Sequence, residues 1–297
     1  MDRRPAPRRP LLSRRQPRRF SKSPAPEPVD HELEVGSRAH YDDPAFYTDN
    51  YRTRIEDVAF YVSAALEHAR GRGRSGTILE YGAGNGRVTL PLARHGFEVT
   101  AVDLSEPMLA DLRRRLAAEP AEVRARVHPR QADMRALALR RRFDLVICPF
   151  NTALHLYTRR DVERFLARVR AHLAPGGTFV VDLSMPIARD LARDPARAYK
   201  APPFVYPGEG KVRYEEHFDY DPIRQVLFVS MSFTPVAAPE RAFVTPLTHR
   251  QFYPREWEAL LHYNGFDVVA TWGDFERGPL VPASDVMIWE ARARRRR

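Results

Sequence analysis

The chain reads as an α/β protein built on a doubly wound, mostly parallel sheet. Three observations carry that reading. Thr77 to Met108 gives a buried strand (Ile78–Tyr81), a glycine turn, a helix and a second strand ending at Asp103, the unit that joins parallel neighbours. Phe143 to Cys148 is a continuous apolar run, as a parallel strand covered on both faces requires. A further apolar strand, TFVVDL (178–183), follows an APGG turn.

The first unit also carries the strongest functional signal. Glycines 82, 84 and 86 leave the backbone bare where a strand hands over to a helix. A ligand can approach the main chain there and meet N–H groups at the helix N-terminus. About twenty residues further on, Asp103 closes the second strand, where a carboxylate can accept both hydroxyls of a ribose. A dinucleotide site spaces its glycines G-x-G-x-x-G. Here the spacing is G-x-G-x-G, and Arg87 stands where the third glycine would be. Glu80, two residues before the first glycine, suits a cationic ligand better than a pyrophosphate. A turn that merely connects strand and helix would account for the glycines but not for Asp103.

In chain order, residues 1–36 form a Pro/Arg/Ser-rich tail, with seven prolines by position 28, and are expected to be disordered. Order is expected from near Ala39. From Tyr51 the apolar positions Ile55, Val58, Ala59, Val62, Ala65 and Leu66 recur at helical spacing, predicting one amphipathic helix ended by Gly71 and Gly73. Tyr41, Tyr47, Tyr51 and Arg54 sit before and within it. Past Asp103, LSEPMLADLRRRLAA predicts a helix capped by Ser105 with Glu106 in its first turn. Arg124 to Gln131 reads as a third strand, followed by QADMRAL.

Beyond the strand at 143–148 come Pro149, Phe150, Asn151 and Thr152, with His155 one helical turn on. Ligands in doubly wound sheets bind beyond the carboxyl ends of the strands, so these residues fall at the edge of the site. Residues 159–173 predict a helix. Residues 187–253 read as an insertion over the mouth of the sheet, a substrate lid. It contains a hairpin, KVRYEEHFDYDPIRQVLFVSMSF, turning at Asp221-Pro222, and a third strand from Phe243 to Tyr253. Alternation puts Tyr214, Glu216 and Phe218 on one face and His217 on the other. Pro254 opens a helix ending near Asn264-Gly265, and two strands close the domain, Phe266–Trp272 and Ser284–Ala291.

The glycine pattern E-x-G-x-G-x-G, together with Asp103, the QADMRAL segment and the LxPGG turn, resembles the class I S-adenosylmethionine (SAM) dependent methyltransferases of small-molecule type. The resemblance spans roughly residues 40–291. It implies a Rossmann-like seven-stranded sheet completed by an antiparallel last strand, with a small antiparallel β lid inserted after strand five. SAM is the implied cofactor. By resemblance, Tyr51 and Arg54 meet the cofactor carboxylate, with Tyr41 a weaker candidate. Glu80, Gly82, Gly84, Gly86 and Asp103 form the cradle. Leu104 covers one face of adenine, and Met108 either joins it or packs in the core. Asp133 meets the adenine amino group with Met134 beside the ring, while Pro149 and Phe150 border the reacting methyl. The domain runs from 37 to 291, between the tail 1–36 and a second basic tail, 292–297.

A sulfonium already activates its methyl group, so the protein mainly aligns the acceptor and excludes water; no metal is required. A hydroxyl or protonated amine acceptor would need a base. His155 is the best-placed candidate, because imidazole titrates near neutrality, although a histidine satisfied by a backbone carbonyl reads equally well. On the acceptor side, Asn151, Tyr214, Arg250 and Tyr253 are candidates, since tyrosine and arginine can hold a carboxylate or aromatic group.

Composition narrows the acceptor. The net charge is +10, but residues 1–30 and 292–297 together carry +11, leaving about −1 for 31–291. A nucleic-acid-binding domain would carry its charge on the folded part. The exit of strand four reads CPFN, unlike the (N/D)-P-P-(Y/F) run of enzymes that resemble one another in methylating extruded bases, and it lacks the glutamate pair of protein arginine methyltransferases. Nucleic acid is therefore an unlikely partner, and a small-molecule acceptor, methylated on oxygen or nitrogen, is expected. The alternatives are an RNA or protein methyltransferase recruited by the basic ends, and a non-catalytic SAM-binding module. One cysteine, Cys148, excludes an internal disulfide. No run approaches the ~20 apolar residues of a membrane span, and the N-terminus lacks the apolar core of a secretory signal, so a cytoplasmic location is expected.

Overall fold

A computed structural model describes residues 30–70 and 76–294. The expected tail therefore lies outside the described residues up to position 29, as do Gly71 and Gly73. Order begins earlier than expected, with α1 (His31–Gly36). A Cβ on Gly36 would sit 2.4 Å from the Thr248 side chain, so α1 lies directly against the chain near 248.

The helix expected from Tyr51 starts later, at Glu56, and a separate helix that was not expected ends at Tyr51. α2 (Pro44–Tyr51) starts at Asp43, whose carboxylate accepts from Ala45 and Phe46 N–H, and α3 spans Glu56–Arg70. The break has a partner. The Arg54 carbonyl accepts from Arg87 at 3.1 Å and Ile55 is 65% exposed, so neither continues an apolar stripe.

The sheet units follow in the predicted order. β1 (Thr77–Tyr81), α4 (Thr89–Arg94), β2 (Glu98–Asp103) and α5 (Glu106–Ala117) lead through α6 (Ala121–Arg124) to β3 (Val127–Gln131). Ser105 caps α5 by accepting from Met108 N–H. β4 (Phe143–Cys148) is buried at every position. α7 (Arg159–His172) opens with a Thr158/Asp161 capping box, and β5 (Leu173–Ser184) follows.

An insertion comes next, starting with the short α8 (Ala188–Leu191). Its sheet has four strands, β6 (Tyr199–Tyr206), β7 (Gly210–Asp221), β8 (Val226–Pro235) and β9 (Phe243–Arg250), all antiparallel in chain order. Sequence patterning finds β7, β8 and β9 but misses β6. Its Pro202 and Pro203 argue against a strand; they fit because β6 is an edge strand and the register shifts between Ala201 and Phe204. α9 (Pro254–Tyr263), β10 (Phe266–Trp272) and β11 (Val286–Ala293) complete the chain.

The main sheet has the order β10-β11-β5-β4-β1-β2-β3. β1 to β5 are parallel, and β11 runs antiparallel to both β5 and β10. This is the seven-stranded sheet with an antiparallel last strand that was expected. The connection reverses direction between β1 and β4, which pair directly. Such a switch point opens a crevice at the carboxyl ends of those two strands. The small sheet turns one face toward α2, where Phe46 stacks on Tyr206 with centroids 4.5 Å apart.

Candidate active site

At the end of β1 the chain enters the glycine turn with φ of +70° at Gly82, +54° at Gly84 and +85° at Gly86. A Cβ at Gly82 would lie 2.1 Å from Thr152 Oγ1, and one at Gly86 2.3 Å from Leu112 Cδ1. Conformation and space both demand glycine there. The Gly84 N–H donates to Asp103 Oδ2 at 2.7 Å, and Ser105 N–H to Oδ1 at 2.8 Å. Burial raises the Asp103 pKa, and these backbone N–H groups oppose that rise. Each carboxylate oxygen keeps a second lone pair for a ligand hydroxyl. Leu104, just beyond, is 44% exposed.

Other predicted cradle residues are placed differently. Glu80 is 1% exposed and accepts from Thr89 Oγ1 at 2.6 Å. Burial pushes its pKa up to about 8, so near neutrality it is an acid sealed beside the loop rather than a carboxylate offered to a cation. Met108 is buried, its Cε 3.1 Å from where a Gly84 Cβ would be; it serves the core. Asp133 stands one residue past Ala132, whose N–H bonds the Asp103 carbonyl, so it borders the cradle. Its carboxylate is held by Arg135 at 2.7 to 3.0 Å. Met134 packs against the main core.

The N-terminal helices close over the loop. Asn85 donates to Thr48 Oγ1 at 2.7 Å and Ser105 Oγ to the Tyr41 carbonyl at 3.2 Å. Arg87, read from sequence only as a missing glycine, clamps α3. It makes two bonds to Asp57, at 2.7 and 2.5 Å, and lies 4.3 Å over the Phe150 ring. Tyr51 packs edge-on to Phe150 at 4.9 Å, and the Arg54 guanidinium lies 5.9 Å over that ring. The structure thus gathers Tyr51, Arg54 and Phe150 at the glycine loop.

Just past β4, Pro149 leads into a turn in which Phe150 and Asn151 both adopt left-handed φ, +54° and +64°, a costly conformation that surrounding structure must hold. Asp182, at the end of β5, does so. Its oxygens accept from Phe150 N–H at 2.8 Å and Asn151 N–H at 3.4 Å, and from Tyr61 Oη at 2.5 Å. Burial raises its pKa to about 6. Asn151 turns its Oδ1 to Ser184 N–H at 2.6 Å. Sequence reading passed over Asp182 and Tyr61. The only signal was an acidic residue at the carboxyl end of a buried strand.

His155 lies in a half-buried cluster of rings. Its Nε2 is 2.8 Å from Tyr41 Oη, its Nδ1 3.2 Å from Tyr157 Oη, and the His249 ring is 5.1 Å away. Burial lowers its pKa to about 4. The premise that this imidazole titrates near neutrality is therefore corrected: it is neutral, with both nitrogens engaged. His40, 3.1 Å from Tyr51 Oη, is lowered likewise to about 4 by burial.

Of the expected acceptor residues, Tyr214 faces inward from β7 and donates to Glu216 Oε1 at 2.5 Å. Arg250 does not join it. Its guanidinium bonds Glu256 at 2.6 Å and the Gln251 carbonyl at 2.5 Å, committed to the start of α9. Tyr253 is the residue before that helix and is 42% exposed. Arg250 thus closes β9, and Tyr253 follows as the residue that leads into α9.

Residues 78–177 match the model of a family described as "Methyltransferase domain". The chain is 27% identical over 241 residues to glycine/sarcosine N-methyltransferase of Halorhodospira halochloris, covering 77% of this chain and 82% of that protein. Among solved structures, the CcbJ methyltransferase from Streptomyces caelestis superposes with a TM-score of 0.71 at 26% identity, covering 85% of this chain and all of that one. The glycopeptide N-methyltransferase MtfA, solved with SAM, shares 31% identity over 77% of this chain and 92% of its own, with a TM-score of 0.52.

Proposed function

The chain belongs to the class I SAM-dependent methyltransferases, and we propose that within that family it methylates a nitrogen of a small molecule. The observation that carries this reading is a juxtaposition. The bare glycine loop and Asp103 stand at one side of the β1/β4 switch point, and the held Phe150–Asn151 turn stands at the other.

When bound, SAM supplies a methyl group already activated by its sulfonium. The chain's own residues hold, align and dry the reactants. In this reading Asp103 accepts the ribose hydroxyls, Leu104 covers adenine, and Asp133 and Met134 border its edge. Tyr51 and Arg54 meet the methionine carboxylate. The tyrosines of the N-terminal helices exclude water, and the small sheet is the lid over the acceptor, facing Asn151.

Two features favour nitrogen over oxygen. Glycine/sarcosine N-methyltransferase and the glycopeptide enzyme MtfA are both N-methyltransferases by name. His155, held neutral by burial with a pKa of about 4, is a poor base for a hydroxyl, whereas a neutral amine brings its own lone pair. A small acceptor is supported by the near-zero charge of residues 31–291. No helix among the described residues is long and apolar enough to cross a membrane. With one cysteine in the chain, the reading puts the enzyme in the cytosol.

The test is incubation with methyl-deuterated SAM and a panel of amines matched to alcohols, followed by mass spectrometry. Label on amine nitrogen is expected; label confined to alcohols, or to none, would overturn the assignment to nitrogen.

A further inference from the structure

The inner face of the small sheet is mostly apolar and aromatic; Thr245 and His249 of β9 also fall on it, and Glu216 is its one carboxylate among the described residues. Strand alternation and register put Tyr214, Glu216 and Phe218 of β7 on that face, opposite Phe233, Met231 and Val229 of β8. Met231 and Phe233 are buried, at 5% and 1% exposed. Glu215, on the other face, is neutralised by Lys200 at 3.2 Å. Among the described residues no lysine or arginine pairs with Glu216; its hydrogen bond is from Tyr214 Oη at 2.5 Å. Arg193, which lies 4.3 Å over the neighbouring Phe218 ring, is paired with Asp190 at 2.9 Å. The same face packs on α2, where Phe46 meets Tyr206 and the cluster that includes Tyr214 and Phe218. Burial, the largest cause, and Glu216 raise the hydroxyl pKa of Tyr51, while Arg54, Asn50 and Arg87 lower it; its ring packs on Phe150.

A half-buried carboxylate without a counter-charge is costly unless a cation completes it. Aromatic rings around it would favour the same ligand through their faces. We infer that Glu216, held by Tyr214 on the sheet face that packs against α2, is the acceptor-recognition residue, and that the acceptor is a primary or secondary amine whose nitrogen it binds as that nitrogen gains positive charge. This rests on the proposed N-methyl transfer and assigns its specificity.

The chemistry balances without a strong base. An amine bound as its ammonium ion first gives one proton to solvent; the freed lone pair then forms the new N–CH3 bond as the S–CH3 bond breaks, and that bond's electron pair returns to sulfur. The positive charge leaves sulfur, which becomes a neutral thioether, and appears on nitrogen, which sheds its proton to solvent on release. A fixed carboxylate on the nitrogen side stabilises that displacement of charge in the transition state.

The test is binding of matched probes to the full chain saturated with S-adenosylhomocysteine. Benzylamine and benzyl alcohol, and cyclohexylamine and cyclohexanol, are titrated by calorimetry into wild type and Glu216→Gln. Glutamine preserves size and can still accept from Tyr214, so the lid should stay folded, which the unfolding midpoint checks. The wild type should prefer each amine by about 10- to 100-fold. The variant should lose that preference with its S-adenosylhomocysteine affinity unchanged. Amines that bind no better than their alcohols, or not at all, overturn the inference, as does a preference that survives in Glu216→Gln. If nitrogen is labelled while the preference survives in the variant, the Glu216 role alone fails. Label on oxygen only would instead remove the N-methyl reading beneath it.

Discussion

Glu80 and His155 stand on opposite sides of their ordinary pKa values for one reason, burial. Glu80 is lifted to about 8 against an ordinary 4.5. Its folded pKa exceeds its unfolded one, so its contribution to stability is complete below about pH 4.5 and is lost as pH rises through 8. Glu80→Gln keeps an acceptor for Thr89 and removes that loss, so its thermal midpoint should gain on the wild type as pH rises from about 5 to 8. A variant that falls behind over that range would mean the carboxylate is needed ionised. His155 and His40 behave in reverse. Both are depressed from 6.5 to about 4, so their stability is present above pH 6.5 and lost as pH falls through 4, on the order of 3 kcal/mol each. Unfolding midpoints should drop over that acidic window, and less so in His155→Gln. The same variant should leave the shape of the turnover profile between pH 6.5 and 8 unaltered, because His155 does not titrate there. An acidic limb that disappears in the variant would restore it as a general base.

At the scale of elements, the glycine loop is held to α3 by Arg87 and Asp57, 16% and 3% exposed. Asp57→Ala leaves the guanidinium unpaired in a mostly buried site, which should cost about 3 kcal/mol in urea unfolding and weaken S-adenosylhomocysteine binding. A loss under 0.5 kcal/mol with intact binding would show that the clamp is dispensable. This clamp also marks where the sequence became unreadable. β1, β2, β4 and β5 are legible because apolar runs and glycines are local signals, and the loop's chemistry is local too. The break between α2 and α3 is set by Arg87, 33 residues away from Arg54, and no periodicity reports it. β6 hides behind two prolines that only its edge position tolerates. The same limit applies to side chains. Arg250 ends β9 and Tyr253 follows it closely, yet Glu256 and the start of α9 claim them. Asp182 was invisible because its task, holding a strained turn 32 residues back, appears only once β4 and β5 are side by side.

The whole molecule combines a seven-stranded sheet with a four-stranded one that packs on α2 through Tyr206 and Phe46. In the proposed reading the seven-stranded sheet supplies the methyl-donor side at its switch point. The four-stranded sheet supplies an aromatic wall that carries one uncompensated carboxylate among the described residues. The excess charge lies elsewhere, in the +11 carried by residues 1–30 and 292–297. A chain shortened by residues 1–29 and 295–297 should therefore turn over a small amine at an unchanged kcat/KM, and a large loss would argue that the basic ends serve the acceptor. The central claim is that SAM lies between Gly82 and Asp103. Calorimetric titration of S-adenosylhomocysteine into wild type, Asp103→Ala and Gly82→Val, each checked for an unaltered unfolding transition, measures it directly. One site per chain is expected in the wild type, with binding about tenfold or more weaker in Asp103→Ala. None is expected in Gly82→Val, where φ is +70° and Thr152 occupies the space. Absent binding in the wild type, or equal affinity in all three proteins, would contradict the account.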